Sequence, residues 1–336
     1  MNRYSRQILF PYIGKEGQEK LGNSSAVIIG CGALGTIIAT SLVRAGVGKV
    51  RIIDRDFIEE HNLQRQVLFD EDDIKNQLPK AIAAERHLRK VNSSIEIEGI
   101  VADVNYKNIE KFVQGADVIL DGLDNFETRF LINDVALKHN IPWVYGGAIS
   151  SYGMTMAIVP HETPCFRCIM ADPTGRKLIE TCDTAGVISS APFIIGSLQI
   201  VEAIKLLVGV REEINRSLRS IDVWKGTFNA IDVESRKDCP ACNGRYEYLA
   251  GKFVERTTVL CGQNAVQVSN PKVGKFSFEE LAAHLKTVED ISYNEFMLRF
   301  TVDSQEVIIF PDGRAIVKNT TDASLARALY AKYIGA

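Results

Sequence analysis

One glycine-rich turn constrains the fold of this chain more than any other feature. The residues Gly30-Cys-Gly-Ala-Leu-Gly35 follow an apolar strand-like run, 25–29, and precede a helix-like stretch that extends to about residue 45. A second apolar run, 50–54, comes next and ends on Asp54. A strand, a glycine turn, a helix and a strand within about 30 residues make up a βαβ unit, whose two strands lie parallel in one sheet. The turn therefore predicts a parallel α/β domain.

Strand and helix patterns alternate along the chain as far as residue 145. The predicted strands cover 96–101, 117–121 and 143–145, and the predicted helices cover 78–91, 106–114 and 127–139. Such alternation indicates a mostly parallel, doubly wound sheet with helices on both faces. Beyond residue 152, runs at 154–159 and 219–224 alternate in polarity, which indicates antiparallel strands added at the far side of the sheet.

The length of the chain predicts a second, smaller domain. The chain has 336 residues, which exceeds the roughly 250–300 residues at which a single core stops growing. The composition changes after Cys242, and 253–336 contain only short strand-like and helix-like runs. We expect an α/β domain over 1–245, with a Rossmann-like sheet and added antiparallel strands. A small α+β domain of unknown role is expected over 253–336.

Composition and charge exclude several classes of protein. Hydrophobic residues make up 46% and charged residues 24%, which excludes a disordered, collagenous or coiled-coil chain. The 39 Lys and Arg residues against 42 Asp and Glu residues give a net charge of −3, so we expect no nucleic-acid partner and no anionic membrane surface. No run approaches the ~18 apolar residues that span a bilayer, and the first residues lack the apolar stretch of a signal peptide. We therefore expect a cytoplasmic protein.

The glycine turn and Asp54 together predict a nucleotide site. Glycines at this point let the backbone approach a phosphate at a helix N-terminus, and a carboxylate at the end of the second strand can accept hydrogen bonds from ribose hydroxyls. These two features do not distinguish a nicotinamide dinucleotide from ATP. A tight turn without a ligand is the structural alternative.

Three later motifs favour a nucleoside triphosphate. They are Asn62-Leu-Gln-Arg-Gln66, Lys80 at the start of a helix, and Asp121-Gly-Leu-Asp-Asn125 after a strand. Hydride transfer needs no cations directed at a terminal phosphate, whereas splitting a triphosphate needs Arg or Lys on the phosphates and a carboxylate for Mg²⁺. Arg65, Lys80 and Asp124 supply that set, although each of them alone is more often a solvated surface charge or a helix cap.

The cysteines predict a metal site. Four of the seven form two C-x-x-C pairs, Cys165/Cys168 and Cys239/Cys242. This spacing is typical of a four-thiolate zinc site, in which no coordination position stays open, so the metal would form a structural zinc clip in the 1–245 domain. Redox thiols and unligated cysteines are the alternatives. Cys31 and Cys261 are expected to be packing residues.

The ordered set of motifs resembles the ThiF/MoeB family, the prokaryotic relatives of ubiquitin-activating enzymes. The resemblance covers roughly residues 1–245. The matching segments are Arg3–Gln7, Gly30–Gly35, Asp54–Asp56, Asn62–Gln66, Lys80, Asp121–Asn125, Pro164–Cys168, Thr181–Val187, Gly196–Gln199 and Cys239–Cys242.

The resemblance implies an ATP-dependent adenylyltransferase that activates the C-terminal Gly-Gly carboxylate of a small ubiquitin-like sulfur carrier, of the ThiS or MoaD kind. It implies catalytic roles for Arg6, Arg65, Lys80, Asp124 and Cys182. Arg6 would reach the ATP of the partner subunit in a homodimer, and Asp124 would bind Mg²⁺. The implied nucleotide-binding set is Gly30, Gly32, Gly35, Asp54, Asp56, Asn62, Arg65, Gln66, Lys80, Leu123, Asp124 and Asn125.

The resemblance leaves the role of Cys182 and the identity of the carrier open. In ThiF-like members the corresponding cysteine forms a covalent link with the carrier, whereas MoeB-like members do not need it for adenylation. Cys182 tilts the choice slightly toward a ThiS-like carrier and thiamine-thiazole biosynthesis, against a MoaD-like carrier and molybdopterin biosynthesis. Sulfur would come from another protein, such as a desulfurase.

Two other functions compete with adenylation. One is a nicotinamide-dependent oxidoreductase, against which Arg65, Lys80 and Asp124 argue. The other is a non-catalytic module that docks a ubiquitin-like protein, against which the intact nucleotide and Mg²⁺ positions argue.

Overall fold

The chain divides into two units, residues 1–253 and 254–336. The structure is a computed structural model that describes residues 3–170, 185–253, 257–260, 264–268, 277–285 and 288–334. That the two units are independent domains stays a prediction.

The first unit is built on an eight-stranded sheet. Its strands are β1 (Ser25–Ile29), β2 (Lys49–Asp54), β3 (Glu96–Val101), β4 (Val118–Asp121), β5 (Trp143–Ile149), β6 (Tyr152–Ile158), β7 (Leu218–Asp222) and β8 (Thr227–Ile231). Its described helices are α1 (Ser5–Ile8), α2 (Gly14–Asn23), α3 (Ala33–Ala45), α4 (Glu71–Lys75), α5 (Lys80–Val91), α6 (Ile109–Val113), α7 (Phe126–His139), α8 (Phe166–Ile169) and α9 (Ser190–Val208), with 3₁₀ turns at Glu60–Asn62 and Arg211–Glu213.

The strand order is β3-β2-β1-β4-β5-β6-β7-β8. The first five strands run parallel, and β6, β7 and β8 add as antiparallel neighbours. This confirms the predicted mostly parallel sheet with antiparallel strands at its far side. The chain continues outward in opposite directions from β1 and β4, so a crevice forms at the carboxyl ends of these two strands, where doubly wound folds bind ligands.

The helix α9 corrects one expectation. By length and composition it could cross a membrane, with 19 residues and a mean hydropathy of 1.7, although no such run was expected from the sequence. In the structure it packs against β5, β6 and α3. Its Gln199 is fully buried and donates hydrogen bonds to the backbone oxygens of Asp121 and Val144. These contacts are those of a core helix of a folded domain.

The described residues of the second unit form an antiparallel sheet and two helices. Its strands are β9 (Thr257–Leu260), β10 (Ala265–Val268), β11 (Glu289–Tyr293), β12 (Leu298–Val302), β13 (Gln305–Ile309) and β14 (Ala315–Lys318), and its helices are α10 (Phe278–His284) and α11 (Ala323–Tyr333). The strand order is β11-β12-β13-β14-β10-β9. Apolar residues of the sheet, among them Phe300, Ile309 and Val317, form one core with Leu329 and Tyr330 of α11. The predicted α+β character is confirmed.

Candidate nucleotide site and thiolate cluster

The glycine turn lies in the crevice between β1 and β4. A Cβ atom on Gly30 would lie 2.6 Å from the backbone oxygen of Gly122, and one on Gly35 would lie 2.1 Å from the oxygen of Gly30. Gly30 also has a φ of +91°, which favours glycine. A Cβ on Gly32 would instead find its nearest atom at 3.8 Å. The first glycine therefore lets the turn pack on the β4 loop, and the third lets α3 pack on the turn. The second keeps the N-terminus of α3 approachable.

Asp54 connects the glycine turn to the loop after β2. The residue is buried; its Oδ2 accepts a hydrogen bond from the Cys31 N–H at 2.6 Å, and its Oδ1 accepts one from the Asp56 N–H at 2.7 Å. Burial raises the pKa of the Asp54 carboxyl, and the nearby Lys80 ammonium opposes this shift. Each carboxylate oxygen has a further lone pair, through which Asp54 can accept from a ribose hydroxyl.

Lys80 lies at the first residue of α5 and faces several carboxylates. Its Nζ is 3.4 Å from Oδ2 of Asp56, and only 8% of its side chain is exposed. Burial alone would lower the pKa of this ammonium, but Asp56, Asp54 and Asp124 together raise it. Lys80 is therefore a fixed cation at the carboxyl edge of the sheet, and its neighbours include the predicted magnesium ligand.

The loop before α4 contributes Asn62, Arg65 and Gln66. Asn62 is buried, and its Oδ1 accepts from the Glu59 N–H at 3.0 Å, so Nδ2 is the atom that can donate to a phosphate. Gln66 is also buried; its Nε2 lies next to Gly32, and its Oε1 has no partner among the described residues. Arg65 is half-buried, and its guanidinium donates to the backbone oxygen of His61 at 2.8 Å.

The loop after β4 carries Leu123, Asp124 and Asn125. The Leu123 N–H donates to Oδ1 of Asp121 at 2.9 Å, which shapes the turn. Asp124 is exposed, so its carboxylate is accessible to a ligand. Asn125 caps α7 through an Oδ1 that accepts from the Thr128 N–H at 3.0 Å. Of these residues only Asp124 offers a charged group to a ligand.

Arg129 is a buried cation that the sequence analysis did not identify. Its Nε lies 2.8 Å from Oδ2 of Asp121, and its Nη2 donates to the backbone oxygens of Leu123 at 2.6 Å and Gly146 at 2.9 Å. Both charged side chains are at most 5% exposed. The pair ties the Asp124 loop to β5. The signal available in the sequence was an Arg one turn into a helix that follows the Asp121 motif.

Arg6 lies away from the other predicted residues. Its helix α1 is held at the opposite end of the sheet, because Gln7 donates to the backbone oxygen of Ala45 at the end of α3. Tyr4 accepts a hydrogen bond from Asn92, which follows the last residue of α5, whereas Lys80 begins that helix. Arg6 is exposed there.

The two C-x-x-C pairs come together in the fold. The four sulfur atoms lie within 4.8 Å of one another, and Sγ–Sγ distances are 3.8 Å for Cys165–Cys168, 3.5 Å for Cys165–Cys239 and 3.6 Å for Cys168–Cys242. Four sulfurs about 2.3 Å from one zinc ion in a tetrahedron are about 3.8 Å apart. The cluster therefore has the dimensions of a four-thiolate zinc site.

The remaining predicted residue, Cys182, lies outside the described residues.

Comparison with known proteins agrees with this geometry. The ThiF family model matches residues 4–241. A Bacillus subtilis protein named sulfur carrier protein ThiS adenylyltransferase is 44% identical over 99% of this chain and 99% of its own length. The SAMP-activating enzyme E1 of Haloferax volcanii is 36% identical over 72% of this chain and 88% of its own length. The crystal structure of E. coli MccB with ATP aligns with a TM-score of 0.63 and 26% identity, over 72% of this chain and 75% of MccB. By family match, near full-length similarity and fold, the chain belongs to the ThiF family.

Proposed function

We propose that this protein adenylates the C-terminal carboxylate of a small ubiquitin-like sulfur carrier with ATP. The observation that carries the proposal is the convergence of Lys80, Asp54 and Asp124 on the crevice beside the open N-terminus of α3. The relatives named for this reaction support it, with the Bacillus protein similar over nearly the whole chain. Neither an oxidoreductase nor a non-catalytic docking module is favoured.

The proposed reaction transfers the AMP group to the carrier. The terminal carboxylate of the carrier attacks the α-phosphorus of ATP, the bond to the bridging oxygen breaks, and pyrophosphate leaves with the released negative charge. Lys80, Arg65 and the Nδ2 of Asn62 would hold the phosphates, and the open N–H groups of α3 would add a fixed positive field. Asp54 would hold the ribose.

Asp124 would hold Mg²⁺. The fit is chemical, because an exposed carboxylate is the kind of group that binds a hydrated Mg²⁺ already carried by phosphates. The nearby Lys80 ammonium would contact the phosphates rather than the metal. When bound, Mg²⁺ would neutralise charge that develops on the leaving pyrophosphate.

The thiolate cluster would hold a structural Zn²⁺. Its four sulfurs leave no position for substrate, so the metal would tie the segment after β6 to the segment after β8. In the Cys239→Ser variant we expect loss of stoichiometric zinc and a lower thermal unfolding temperature, measured by atomic absorption and circular dichroism. Full retention of zinc would contradict the assignment. The matched control is Cys31→Ser, because Cys31 lies outside the cluster and is expected to leave the zinc content unchanged.

We propose a ThiS-like carrier rather than a MoaD-like one, which would assign the protein to thiamine-thiazole rather than molybdopterin biosynthesis. The support is the name of the Bacillus relative. We further propose that the Cys182 thiolate attacks the acyl carbon of the carrier acyl-adenylate, so that a thioester forms and AMP leaves. We also propose that a desulfurase donates the sulfur and that the protein is cytoplasmic. Mass spectrometry of the reaction mixture tests the link: Cys182→Ser should abolish the adduct and retain adenylation.

The deciding experiment is carrier-dependent ATP–pyrophosphate exchange. We expect exchange with a ThiS-like carrier, none with a carrier that lacks its terminal Gly-Gly, and a loss of at least 100-fold for Asp124→Ala, by analogy with single-donor deletions. Mass spectrometry should detect the acyl-adenylate. Absence of exchange with every ThiS-like and MoaD-like carrier would overturn the proposal.

The working unit would be a homodimer in which Arg6 acts on the ATP of the partner subunit. The supporting observation is distance: α5 has 12 residues, and at about 1.5 Å per residue the α1 end of this helix is roughly 16 Å from Lys80. We expect Arg6→Ala and Asp124→Ala each to be inactive, and a mixture that exchanges subunits to regain activity, because one hybrid site then has both groups. A mixture that stays inactive although mass measurements show hybrid dimers would contradict a role across subunits.

A further inference from the structure

Arg55 is a further cation at the nucleotide crevice, and neither the motifs nor the proposed reaction gives it a role. It follows Asp54 directly at the carboxyl end of β2. One guanidinium nitrogen, Nη1, lies 2.7 Å from Oδ1 of Asp103, and Nε lies 3.6 Å from Oδ1 of Asp56. A quarter of the side chain is exposed. Arg55 is therefore fixed by carboxylates at its edges and lines the cleft.

The partner Asp103 comes from the adjacent strand. β2 and β3 are parallel, with Asp54 opposite Val101. The residues that follow each strand therefore lie side by side, and they form the border of the crevice on the side away from β1 and β4. Arg55 and Asp103 close this border with one ion pair.

The nucleotide geometry directs the base to this border. In the proposed function the phosphates lie near the N-terminus of α3 and the ribose lies at Asp54. A base attached to that ribose would lie over the ends of β2 and β3, because β3 is the next strand beyond β2 on the side away from the phosphates. The inference that follows rests on the proposed function for this orientation.

The chemistry of a clamped guanidinium suits a purine. Its edge N–H groups are directed at carboxylates, while its planar faces can stack on an aromatic ring, which an ammonium does less well. Burial by itself would lower the pKa of Arg55, but Asp103 and Asp56 raise it, so the cation persists at every working pH.

We propose that Arg55 is the base-recognition residue of the nucleotide site, that its guanidinium stacks on the purine ring, and that Asp103 is the positioning residue that orients it. The site would prefer purine over pyrimidine triphosphates because a larger ring overlaps more of the guanidinium plane.

Binding measurements on the full-length protein separate base recognition from phosphate binding. Isothermal titration with ATP and with inorganic triphosphate, both with Mg²⁺, is made for the wild type, Arg55→Ala and Arg55→Lys. We expect ATP affinity to fall about tenfold in Arg55→Ala and several-fold in Arg55→Lys, with the affinity for inorganic triphosphate within twofold of wild type. If inorganic triphosphate gives no signal with the wild type, CTP replaces it, and ATP affinity should fall more than CTP affinity.

Two further variants test whether the effect is specific to Arg55 and whether Asp103 positions it. Arg51→Ala is the matched control, because Arg51 lies on the same strand and pairs with Glu98 of β3 within the sheet, away from the carboxyl edge. The ATP affinity of this variant should equal that of the wild type. Asp103→Asn keeps the volume of the side chain and should weaken ATP binding less than Arg55→Ala.

The outcomes are distinguishable. If the wild type binds no ATP, the proposed function fails and this inference fails with it. If the wild type binds ATP and both Arg55 variants bind it equally well, only the role of Arg55 is overturned. An equal fall for ATP and for the comparison ligand would identify Arg55 as a phosphate ligand and would also overturn the proposal. Arg55→Lys retains the charge next to Asp103, which keeps the test valid if Arg55→Ala folds poorly.

Discussion

Replacing Arg129 with Met should destabilise the protein through a charge left behind in its core. The side chains of Arg129 and Asp121 are 5% and 0% exposed. The replacement leaves the Asp121 carboxylate without its cation and removes the donor from the backbone oxygens of Leu123 and Gly146. Breaking a buried ion pair by removing one partner costs about 3–5 kcal/mol of unfolding free energy. We expect a loss in that range at pH 8.

The pH dependence of this loss identifies its cause. Burial raises the pKa of Asp121, and Arg129 opposes the shift, so the folded-state pKa of Asp121 should rise further when Arg129 is replaced. A carboxyl with a raised folded-state pKa favours folding below its unfolded pKa, and this contribution disappears as the pH rises through the folded pKa. The deficit of Arg129→Met relative to wild type should therefore be smaller at pH 5 than at pH 8.

Urea unfolding at both pH values measures the deficit, and a second variant separates stability from positioning. In Arg129→Met combined with Asp121→Asn neither of these two positions carries a buried charge, so part of the stability should return. Adenylation should not return with it, because the Leu123 oxygen is still unanchored next to Asp124. A deficit below about 1 kcal/mol, or one equal at both pH values, would refute the reasoning about the buried charge. Full activity of the double variant would refute the positioning of the loop.

Three other substitutions test the site and the core. Gly30→Ala should lower the free energy of unfolding, measured in urea, by about 2–4 kcal/mol, because φ is +91° and the new Cβ would lie 2.6 Å from the Gly122 oxygen. Gly32→Ala should fold normally and weaken ATP binding in titration calorimetry. Asp134 is buried, and desolvation raises its pKa to about 6, against a value of about 3.9 in the unfolded chain. Asp134→Asn should therefore raise the free energy of unfolding at pH 8 by up to ~3 kcal/mol and give no gain at pH 4. A variant equal to wild type at pH 8 would contradict the assignment to Asp134.

The parallel core of the fold was predictable because its signals are local. The strands β1 and β3 match their predicted bounds, and β2 and β4 differ by one residue at the start. The predicted strand at β5 stopped at residue 145, but the strand continues to Ile149 because it pairs with β6 in a hairpin. A three-residue apolar run does not indicate pairing across a turn. The strand β8 was missed because all of its residues are exposed, so it has no apolar face to produce an alternating pattern.

The candidate site was predictable where residues follow strands. The carboxyl ends of parallel strands meet at one edge, and this brings Asp54 and Asp124 near Lys80 although the two carboxylates are far apart in sequence. The groups that fix these residues were not predictable. Arg129 lies in an ordinary helical pattern, and Gln199 reaches the Asp121 backbone from α9. Such pairs are specified only by tertiary packing.

Two independent constraints determine where Asp124 lies. On one side, Gly30 and Gly122 are in such close contact that neither tolerates a Cβ, which fixes the start of the Asp124 loop against the glycine turn. On the other side, Arg129 holds the Leu123 oxygen. The distance between the predicted metal ligand and the predicted phosphate-binding turn is therefore set by core packing rather than by contacts with substrate. Preorganised charges of this kind need no rearrangement when substrate binds, so substitutions in this core should lower turnover more than they weaken the binding of ATP.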